Sequence, residues 1–223
     1  MTTLLLIRHG DNDTLGKYLA GQTPGVHLND KGHRQAQGLV CQLAAAPIKA
    51  IYSSPLERAM ETARPLAQFF NQEIHIKPGL IELNYGNWVG KPFGLLRRYK
   101  VWKMIYEKPE AVRFPGGETF TEVQQRVCVE IDSIAAANEK QDLVAVFTHA
   151  DVIRLAVTHY LEMPLIGFHK FMIDPASITI LVLNDGKARI PKLNQTGSFV
   201  WPEPQKKKVQ RAKPEEKEKL KTV

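Results

Sequence analysis

The chain has 223 residues, of which 43% are hydrophobic and 24% are charged, and its formal net charge is +7. This length suits one domain with a well-buried core, and no apolar run approaches the ~20 residues that a membrane-spanning helix needs. The N-terminal sequence lacks a basic region and a small-residue cleavage site. We therefore predict a cytoplasmic protein without a signal peptide and without membrane insertion.

Short apolar runs alternate with segments of helix length along the chain. Strands buried on both faces are predicted at residues 4–7, 50–52, 143–147 and 178–183. Helices are predicted at residues 31–45, 55–70, 121–138 and 152–161. This alternation predicts an α/β fold: a three-layer sandwich with a largely parallel central sheet and helices on both faces.

Two of these helices carry N-terminal start signals. Ser54 is a predicted N-cap, followed by Pro55 at the first helical position and Glu57 at the third. Thr119 and Glu122 form a second predicted capping box. One apolar face is predicted for the helix that follows, made of Phe120, Val123, Val127, Ile131 and Ile134.

The C-terminal residues differ in composition from the rest of the chain. Residues 202–223 contain eight Lys and Arg against four Glu, with almost no large apolar side chains. Such a segment cannot offset the entropy cost of ordering, so we predict a disordered basic tail after a single domain at residues 1–201. A solvated tail explains this charge, and we do not expect nucleic-acid binding.

The two cysteines do not indicate catalysis or metal binding. Cys41 and Cys128 have no metal-ligand spacing and are predicted to be reduced structural thiols. Neither begins a Cys-x5-Arg phosphatase loop, because Pro47 and Ile134 stand where the arginine would be. Cysteine-based phosphatase chemistry is therefore excluded.

Polar side chains follow three of the predicted strands. Arg8-His9-Gly10 follows the first, a segment ending at Arg58 follows the second, and Thr148-His149-Ala150 follows the run at 143–147. The ligand crevice of an open parallel sheet lies beyond the carboxyl ends of its strands. We therefore expect two arginines and two histidines to meet at one edge of the sheet.

These residue types suit the chemistry of a phosphate monoester. Arg8 and Arg58 offer the planar guanidinium that matches two phosphate oxygens, and a neutral His9 can attack phosphorus if its other ring nitrogen is pinned. Gly10 would let a ligand approach the backbone, and His149 would donate to the transferred group. The leaving alkoxide needs a proton, for which Glu82 is the candidate if burial raises its pKa.

A series of motifs occurs in a fixed order along the chain. It comprises Arg8-His9-Gly10, segments 28–36 and 52–63, Glu82 with Tyr85-Gly86 and Trp88, Pro115-Gly116-Gly117-Glu118, and Thr148-His149. Over roughly residues 4–183 this series resembles the histidine phosphatase superfamily, also called phosphoglycerate mutase-like. The resemblance implies a phosphohistidine on His9, a phosphate pocket of Arg8, Arg58 and His149, Glu82 as proton donor, and no metal or organic cofactor.

The chain departs from that family pattern at two places. Family members commonly have Thr or Ser four residues after the first arginine and Asn seven after it, whereas this chain has Asn12 and Leu15. The second histidine is commonly followed by two glycines, but here Ala150 and Asp151 follow it. Asn12 and Ala150 remain predicted substrate- or phosphate-binding positions. Asp151 is expected to face away from the phosphate, in the first turn of its helix.

Residues 92–109 are predicted to influence which ester is bound. Leu95, Tyr99, Trp102 and Tyr106 would share one face of a helix there. A solvated basic surface explains the arginines and lysines of this segment. An alternative hypothesis is that Arg97, Arg98 and Lys103 accept a second anionic group of the substrate.

Other functional classes agree less well with the sequence than hydrolysis. The stretch from Asp11 to Leu15 only partly matches the magnesium-dependent aspartate phosphatases, because Leu15 occupies the fifth position, and no His-Glu-x-x-His or Walker motif occurs. The family resemblance favours a hydrolase over a mutase, because the stretch between Glu82 and Pro115 is shorter than the insertion associated with the cofactor-dependent mutases. A noncatalytic phosphate-binding module that recruits a partner through its basic tail remains an alternative. We predict a metal-independent hydrolase of small-molecule phosphate esters, with its physiological ester and oligomeric state open.

Overall fold

The computed structural model describes residues 2–184 and 187–197. Its strands are β1 (Thr2–Arg8), β2 (Ile48–Ser53), β3 (Ile74–Ile76), β4 (Leu143–Thr148), β5 (Ile178–Asn184) and β6 (Lys187–Gln195). Its α-helices are α1 (Asp30–Leu43), α2 (Glu57–Phe70), α3 (Phe93–Leu96), α4 (Lys100–Glu107), α5 (Phe120–Ala136) and α6 (Ala150–Tyr160). Short 3₁₀ turns lie at Pro78–Leu80, Gly86–Trp88, Pro109–Ala111 and Leu165–Lys170.

The strands form one mixed sheet in the order β3-β2-β4-β1-β5-β6. β1, β2, β3 and β4 run parallel, whereas β5 and β6 add to the β1 side in antiparallel fashion. β1 lies between β4 and β5 at the centre of the sheet, which explains its nearly continuous apolar sequence. The predicted α/β sandwich is confirmed.

Successive residues of the central strands pack against opposite helical layers. Leu4 and Leu6 of β1 belong to the core under α5 and α6, whereas Leu5 and Ile7 belong to the core under α1 and α2. This period of two follows from the pleat of the strand. The sheet is therefore covered on both faces, and the loops at its carboxyl edge remain to form a site.

Two strands and one break were missed by sequence reasoning. β3 has only three residues, and β6 is an edge strand with the polar sequence KARIPKLNQ, so neither shows a buried apolar run. The single helix expected within residues 92–109 is instead α3 and α4, which are separated by a turn. The predicted shared face is therefore divided: Leu95 lies on α3, Tyr99 precedes α4, and Tyr106 is 46% exposed.

The two predicted capping boxes had different outcomes. Thr119 caps α5 as expected, and its predicted apolar face is buried. The box at Ser54 was wrong: α2 begins at Glu57, its N-cap is Leu56, and no side chain caps it. The Ser54 hydroxyl instead contacts the ring of His149 at 2.8 Å.

Other predictions concern cysteines, the membrane and the tail. Both cysteines are free, with Cys41 exposed and Cys128 buried. Within residues 2–184 and 187–197 no helix is long and apolar enough to cross a membrane. The predicted domain boundary at residue 201 and the tail at 202–223 lie outside the described residues.

We expect Thr119→Ala to lower the free energy of unfolding by about 1 kcal/mol, as measured by urea denaturation. The Thr119 hydroxyl accepts from the Glu122 N–H at 3.1 Å, and the Glu122 carboxylate accepts from the Thr119 N–H at 2.8 Å, so the substitution removes half of this reciprocal pair. Thr121→Ala, at an exposed position in the same first turn, is the control and should change stability by less than about 0.5 kcal/mol. Equal losses in both variants would contradict this account.

Candidate active site

Three neighbouring parallel strands end at the same edge of the sheet. Arg8 ends β1 opposite Thr148, which ends β4, and Ser53 ends β2 opposite Phe147. The residues that follow these ends are therefore neighbours in space. His9 and His149 have ring centroids 5.3 Å apart, and the charges of Arg8 and Arg58 act on both rings.

His9 is held in one orientation and kept neutral. Its ring is buried, and Nδ1 lies 2.8 Å from the Gly10 carbonyl oxygen. A carbonyl oxygen only accepts, so we assign the ring proton to Nδ1, which leaves Nε2 with a free lone pair. Burial and the cationic Arg58 and Arg8 lower the pKa of His9 well below its ordinary value of 6.5. At neutral pH the ring is therefore uncharged.

Gly10 is constrained by a hydrogen bond from its N–H and by close packing against α1. Its N–H donates to Thr62 Oγ1 at 2.9 Å, and the Thr62 hydroxyl donates to the Arg58 carbonyl at 2.6 Å. A Cβ at Gly10 would lie 2.8 Å from the Gly32 carbonyl oxygen. The glycine was expected to admit a ligand, but it is already needed for the close approach of α1.

Arg8 and Arg58 each use one nitrogen to hold a loop. Arg8 Nη1 donates to the Ile173 carbonyl at 2.5 Å, and Arg58 Nη2 donates to the Gly21 carbonyl at 2.6 Å. Within the described part of the chain, Arg8 Nε and Arg58 Nη1 are buried without a hydrogen-bond partner. Burial lowers the pKa of both guanidinium groups, yet arginine stays cationic at physiological pH. The buried Arg58 and the partly buried Arg8 thus each have a donor available for an anion.

His149 lies beside these arginines, and its ring contacts Ser54, a site residue that the sequence did not indicate. Its ring is fully buried, Nε2 lies 2.8 Å from Ser54 Oγ, and Nδ1 has no partner among the described residues. Burial and Arg58 lower the pKa of His149 well below 6.5. Ser54 was interpreted as a helix cap, although its position directly after β2 places it at the site edge.

Glu82 is a buried carboxyl group with an altered proton affinity. Burial, followed by the negative charge of Asp151, raises the pKa of Glu82 to about 7. The Leu83 N–H, which donates to Glu82 Oε1 at 2.9 Å, and the cation of Arg58 act in the opposite direction. At neutral pH a large fraction of Glu82 therefore holds a proton.

Arg126 positions the Glu82 loop and was missed by sequence reasoning. Its guanidinium donates to the backbone carbonyls of Ile81 at 2.8 Å and Glu82 at 3.1 Å. Glu118 binds Arg126 Nε at 2.7 Å and also accepts from the Asn84 N–H at 2.8 Å. The loop of Glu82 is thus held by α5 through a partly buried ion pair, and only the position of Glu118 in the Pro-Gly-Gly-Glu motif hinted at this.

The two other predicted binding positions are placed differently. Asn12 is buried, and its Oδ1 accepts from the Thr14 N–H at 3.0 Å and from the Thr14 hydroxyl at 2.6 Å, so its amide oxygen stabilises the loop. Ala150 is the first residue of α6, where a backbone N–H has no partner within the helix. Its N–H at this helix terminus is suited to an anion.

Asp151 does not face away from the site. Its carboxylate accepts from the Tyr85 hydroxyl and from Arg154 Nη1, the latter at 2.8 Å, and its charge contributes to the raised pKa of Glu82. The position of Asp151 in the first turn of α6 was as expected.

Arg97, Arg98 and Lys103 have exposed side chains on or beside α3 and α4, and Lys103 pairs with Glu107 at 3.2 Å.

We expect Thr62→Val to lower the free energy of unfolding by about 1 to 3 kcal/mol, because a nearly isosteric side chain leaves the buried Gly10 N–H without an acceptor. Thr62→Ser keeps the hydroxyl and is the matched variant, with a smaller loss arising from the missing methyl group. Urea denaturation of the two variants tests the difference. A serine variant less stable than the valine variant would contradict the assigned role of the hydroxyl.

Comparison with known proteins identifies the family of the chain. Residues 4–196 match the family model of the histidine phosphatase superfamily (branch 1). Phosphoserine phosphatase 1 of Hydrogenobacter thermophilus is 30% identical over 200 residues, which cover 88% of this chain and 93% of that protein. The 2,3-bisphosphoglycerate-dependent phosphoglycerate mutase of Thermoplasma acidophilum is 31% identical over 193 residues, covering 84% and 90%.

A solved structure shows the same fold. Phosphoserine phosphatase from Entamoeba histolytica in complex with 3-phosphoglyceric acid superposes with a TM-score of 0.79 at 29% identity, covering 88% of this chain and 98% of that chain. The relatives are phosphatases and a mutase, so the matches agree on phosphoryl chemistry and differ in the acceptor. With the family model covering most of its length, this chain belongs to the histidine phosphatase superfamily.

Proposed function

We propose that the chain is a metal-independent phosphomonoester hydrolase that forms a phosphohistidine on Nε2 of His9. The observation that carries this proposal is a set of buried polar atoms around a neutral His9 that have no partner among the described residues. These atoms are Arg8 Nε, Arg58 Nη1 and His149 Nδ1. A buried donor without an acceptor is costly, and a phosphoryl group supplies acceptors to all such donors.

Substrate binding follows from charge. A phosphate monoester is a dianion near neutral pH, and Arg8 and Arg58 supply two positive charges in a buried setting, where electrostatic attraction is stronger than in water. The backbone N–H of Ala150 at the start of α6 adds a donor at the positive end of a helix. His149 contributes a further polar contact. None of these contacts requires a metal ion.

In the first chemical step, His9 Nε2 attacks phosphorus. The N–P bond forms, the P–O bond to the alcohol breaks, and the leaving oxygen takes the proton of Glu82. The hydrogen bond from Nδ1 to the Gly10 carbonyl stabilises the positive charge that develops on the ring. Arg8, Arg58 and His149 stabilise the charge on the transferred group.

In the second step, water replaces the alcohol. Glu82 is now a carboxylate and takes a proton from the attacking water, whose oxygen forms a bond to phosphorus as the N–P bond breaks. Inorganic phosphate leaves, and Glu82 is again protonated. The raised pKa of Glu82, about 7, suits both roles near neutral pH.

Mutase activity is the second candidate because one relative, at 31% identity, is a phosphoglycerate mutase. In that reaction the hydroxyl of a second substrate would replace water in the second step. The stretch between Glu82 and Pro115 forms only α3, α4 and brief 3₁₀ turns. It lacks the longer insertion associated with the cofactor-dependent mutases, which favours hydrolysis. Small phosphate esters such as phosphoserine and phosphoglycerate are the substrates to try first, by analogy with the relatives.

We expect the purified chain to release p-nitrophenol from p-nitrophenyl phosphate in the presence of EDTA, and His9→Ala to reduce this rate by at least about a thousandfold. The substitution removes the atom that accepts the phosphoryl group. His33→Ala changes an exposed histidine of α1 and serves as the control, with a rate expected to match that of the unmodified chain.

The outcomes separate the candidate functions. Activity that requires a chelatable metal and survives loss of His9 would overturn the proposal. A chain that transfers phosphate between phosphoglycerates but releases no inorganic phosphate would instead be a mutase. Product analysis by ³¹P NMR distinguishes these reactions.

We expect kcat/KM for alkyl phosphates to fall as pH rises through about 7, because Glu82 then loses the proton that the leaving group needs. Toward lower pH the rate should persist until His9 is protonated, well below 6.5. Glu82→Gln should reduce turnover of an alkyl phosphate by about 10² to 10⁴ and abolish the limb near pH 7.

The choice of leaving group provides the internal control for this test. Nitrophenolate leaves readily without protonation, so Glu82→Gln should reduce p-nitrophenyl phosphate hydrolysis much less than alkyl phosphate hydrolysis. Glu110→Gln, at an exposed position, should reduce neither rate. Equal losses on both substrates would show that Glu82 acts in binding or folding rather than in proton donation.

A further inference from the structure

The first two turns of α6 carry an acid and an arginine that the reaction scheme does not use. Asp151 Oδ1 accepts from Arg154 Nη1 at 2.8 Å, and Asp151 Oδ2 accepts from the Tyr85 hydroxyl. Arg154 Nε donates to the Phe171 carbonyl at 3.1 Å. The pair therefore connects α6 with the loop of Glu82 and with the segment before β5.

Several contacts place this pair beside the phosphate site. Arg8 occupies the same face of β1 as Leu4 and Leu6, and this is the face that α6 covers. Arg8 binds the Ile173 carbonyl, while Arg154 binds the Phe171 carbonyl two residues earlier. Carbonyls two residues apart in extended backbone are separated by about 7 Å. The charges of Asp151 and Arg154 also act on Arg8.

The pair is more accessible than the phosphate site itself. The side chains of Asp151 and Arg154 are 17% and 22% exposed, whereas His9 and Arg58 are 4% and 2% exposed. Met172, between the two bound carbonyls, is 66% exposed. A phosphoryl group bound at the buried arginines would therefore have its alcohol portion directed toward solvent, past Asp151 and Arg154.

The Asp151–Arg154 pair carries one negative and one positive charge. Asp151 and Arg154 neutralise each other as a pair, so they offer no net attraction to a second phosphate. The hydrogen bonds described for Arg154 use Nε and Nη1, which leaves Nη2 for an incoming carboxylate. The Asp151 carboxylate can accept a further hydrogen bond, for example from an ammonium group.

We propose that Asp151 and Arg154 bind the leaving group and select phosphate monoesters of hydroxyl-bearing α-amino acids. The carboxylate of the amino acid contacts Arg154, and its ammonium group contacts Asp151. This inference rests on the proposed hydrolase function and specifies its substrate class.

Matched substrates test each contact separately. O-phosphoserine has both groups, O-phosphoethanolamine lacks the carboxylate, and 3-phosphoglycerate lacks the ammonium group. For the unmodified chain we expect kcat/KM on phosphoserine to exceed that on either other ester by at least about tenfold, as one charged hydrogen bond permits. Comparable values on the three esters would overturn the proposal.

Substitutions should separate the two preferences. Arg154→Gln should bring the ratio of phosphoserine to phosphoethanolamine toward one, and Asp151→Asn should do the same for the ratio of phosphoserine to 3-phosphoglycerate. Asp151→Asn is nearly isosteric and can still hydrogen-bond to Tyr85. Arg64→Gln, at an exposed position of α2, is the control and should alter neither ratio. Ratios that Arg154→Gln and Asp151→Asn leave unchanged would contradict the assignment.

Binding to His9→Ala separates this inference from the proposed function. Calorimetry on that variant measures affinity without turnover, and phosphoserine should bind at least about tenfold more tightly than phosphoethanolamine. Equal affinities would overturn the subsite even if His9-dependent hydrolysis is found. The expected preference without hydrolysis by the unmodified chain would support the subsite and count against the hydrolase.

Discussion

The candidate site depends on the buried guanidinium group of Arg58 and its contacts. One nitrogen holds the Gly21 carbonyl, and another has no partner within the described residues. A buried cation that is only partly hydrogen-bonded costs several kcal/mol, which the folded protein must offset through its packing. The core on both faces of the sheet supplies that stability, and a bound anion would recover part of the cost. The unpartnered donor of Arg58 would therefore suit an anion without rearrangement.

The same burial has opposite effects on the two residues that would move protons or form bonds. It lowers the pKa of His9 and raises the pKa of Glu82, because both charged forms lose hydration. The arginines strengthen the effect on His9, whereas Asp151 strengthens the effect on Glu82. A neutral imidazole and a protonated carboxyl group thus coexist near neutral pH, which is the combination that nucleophilic attack with general-acid assistance needs.

Hydrogen bonds from outside the site hold these groups in place. Thr62 links the Gly10 peptide to the backbone of Arg58, so that α2 and the loop after β1 are joined next to His9, the proposed nucleophile. Arg126 and Glu118 hold the loop of Glu82 against α5. Both links are buried or partly buried, and both connect elements far apart in the sequence. Small movements of these elements would therefore change the geometry of attack and proton transfer.

The sequence by itself determined the sandwich, the four apolar strands and the edge where the candidate residues meet, because strand periodicity and parallel connections are local and directional. It also indicated His9, Arg8, Arg58, His149 and Glu82 through motif order. Only the tertiary structure decided the roles of Ser54 and Arg126 and the orientation of Asp151, since each depends on a partner from a distant element. Edge strands β3 and β6 were hidden for the same reason: their pairing, rather than an apolar pattern, stabilises them.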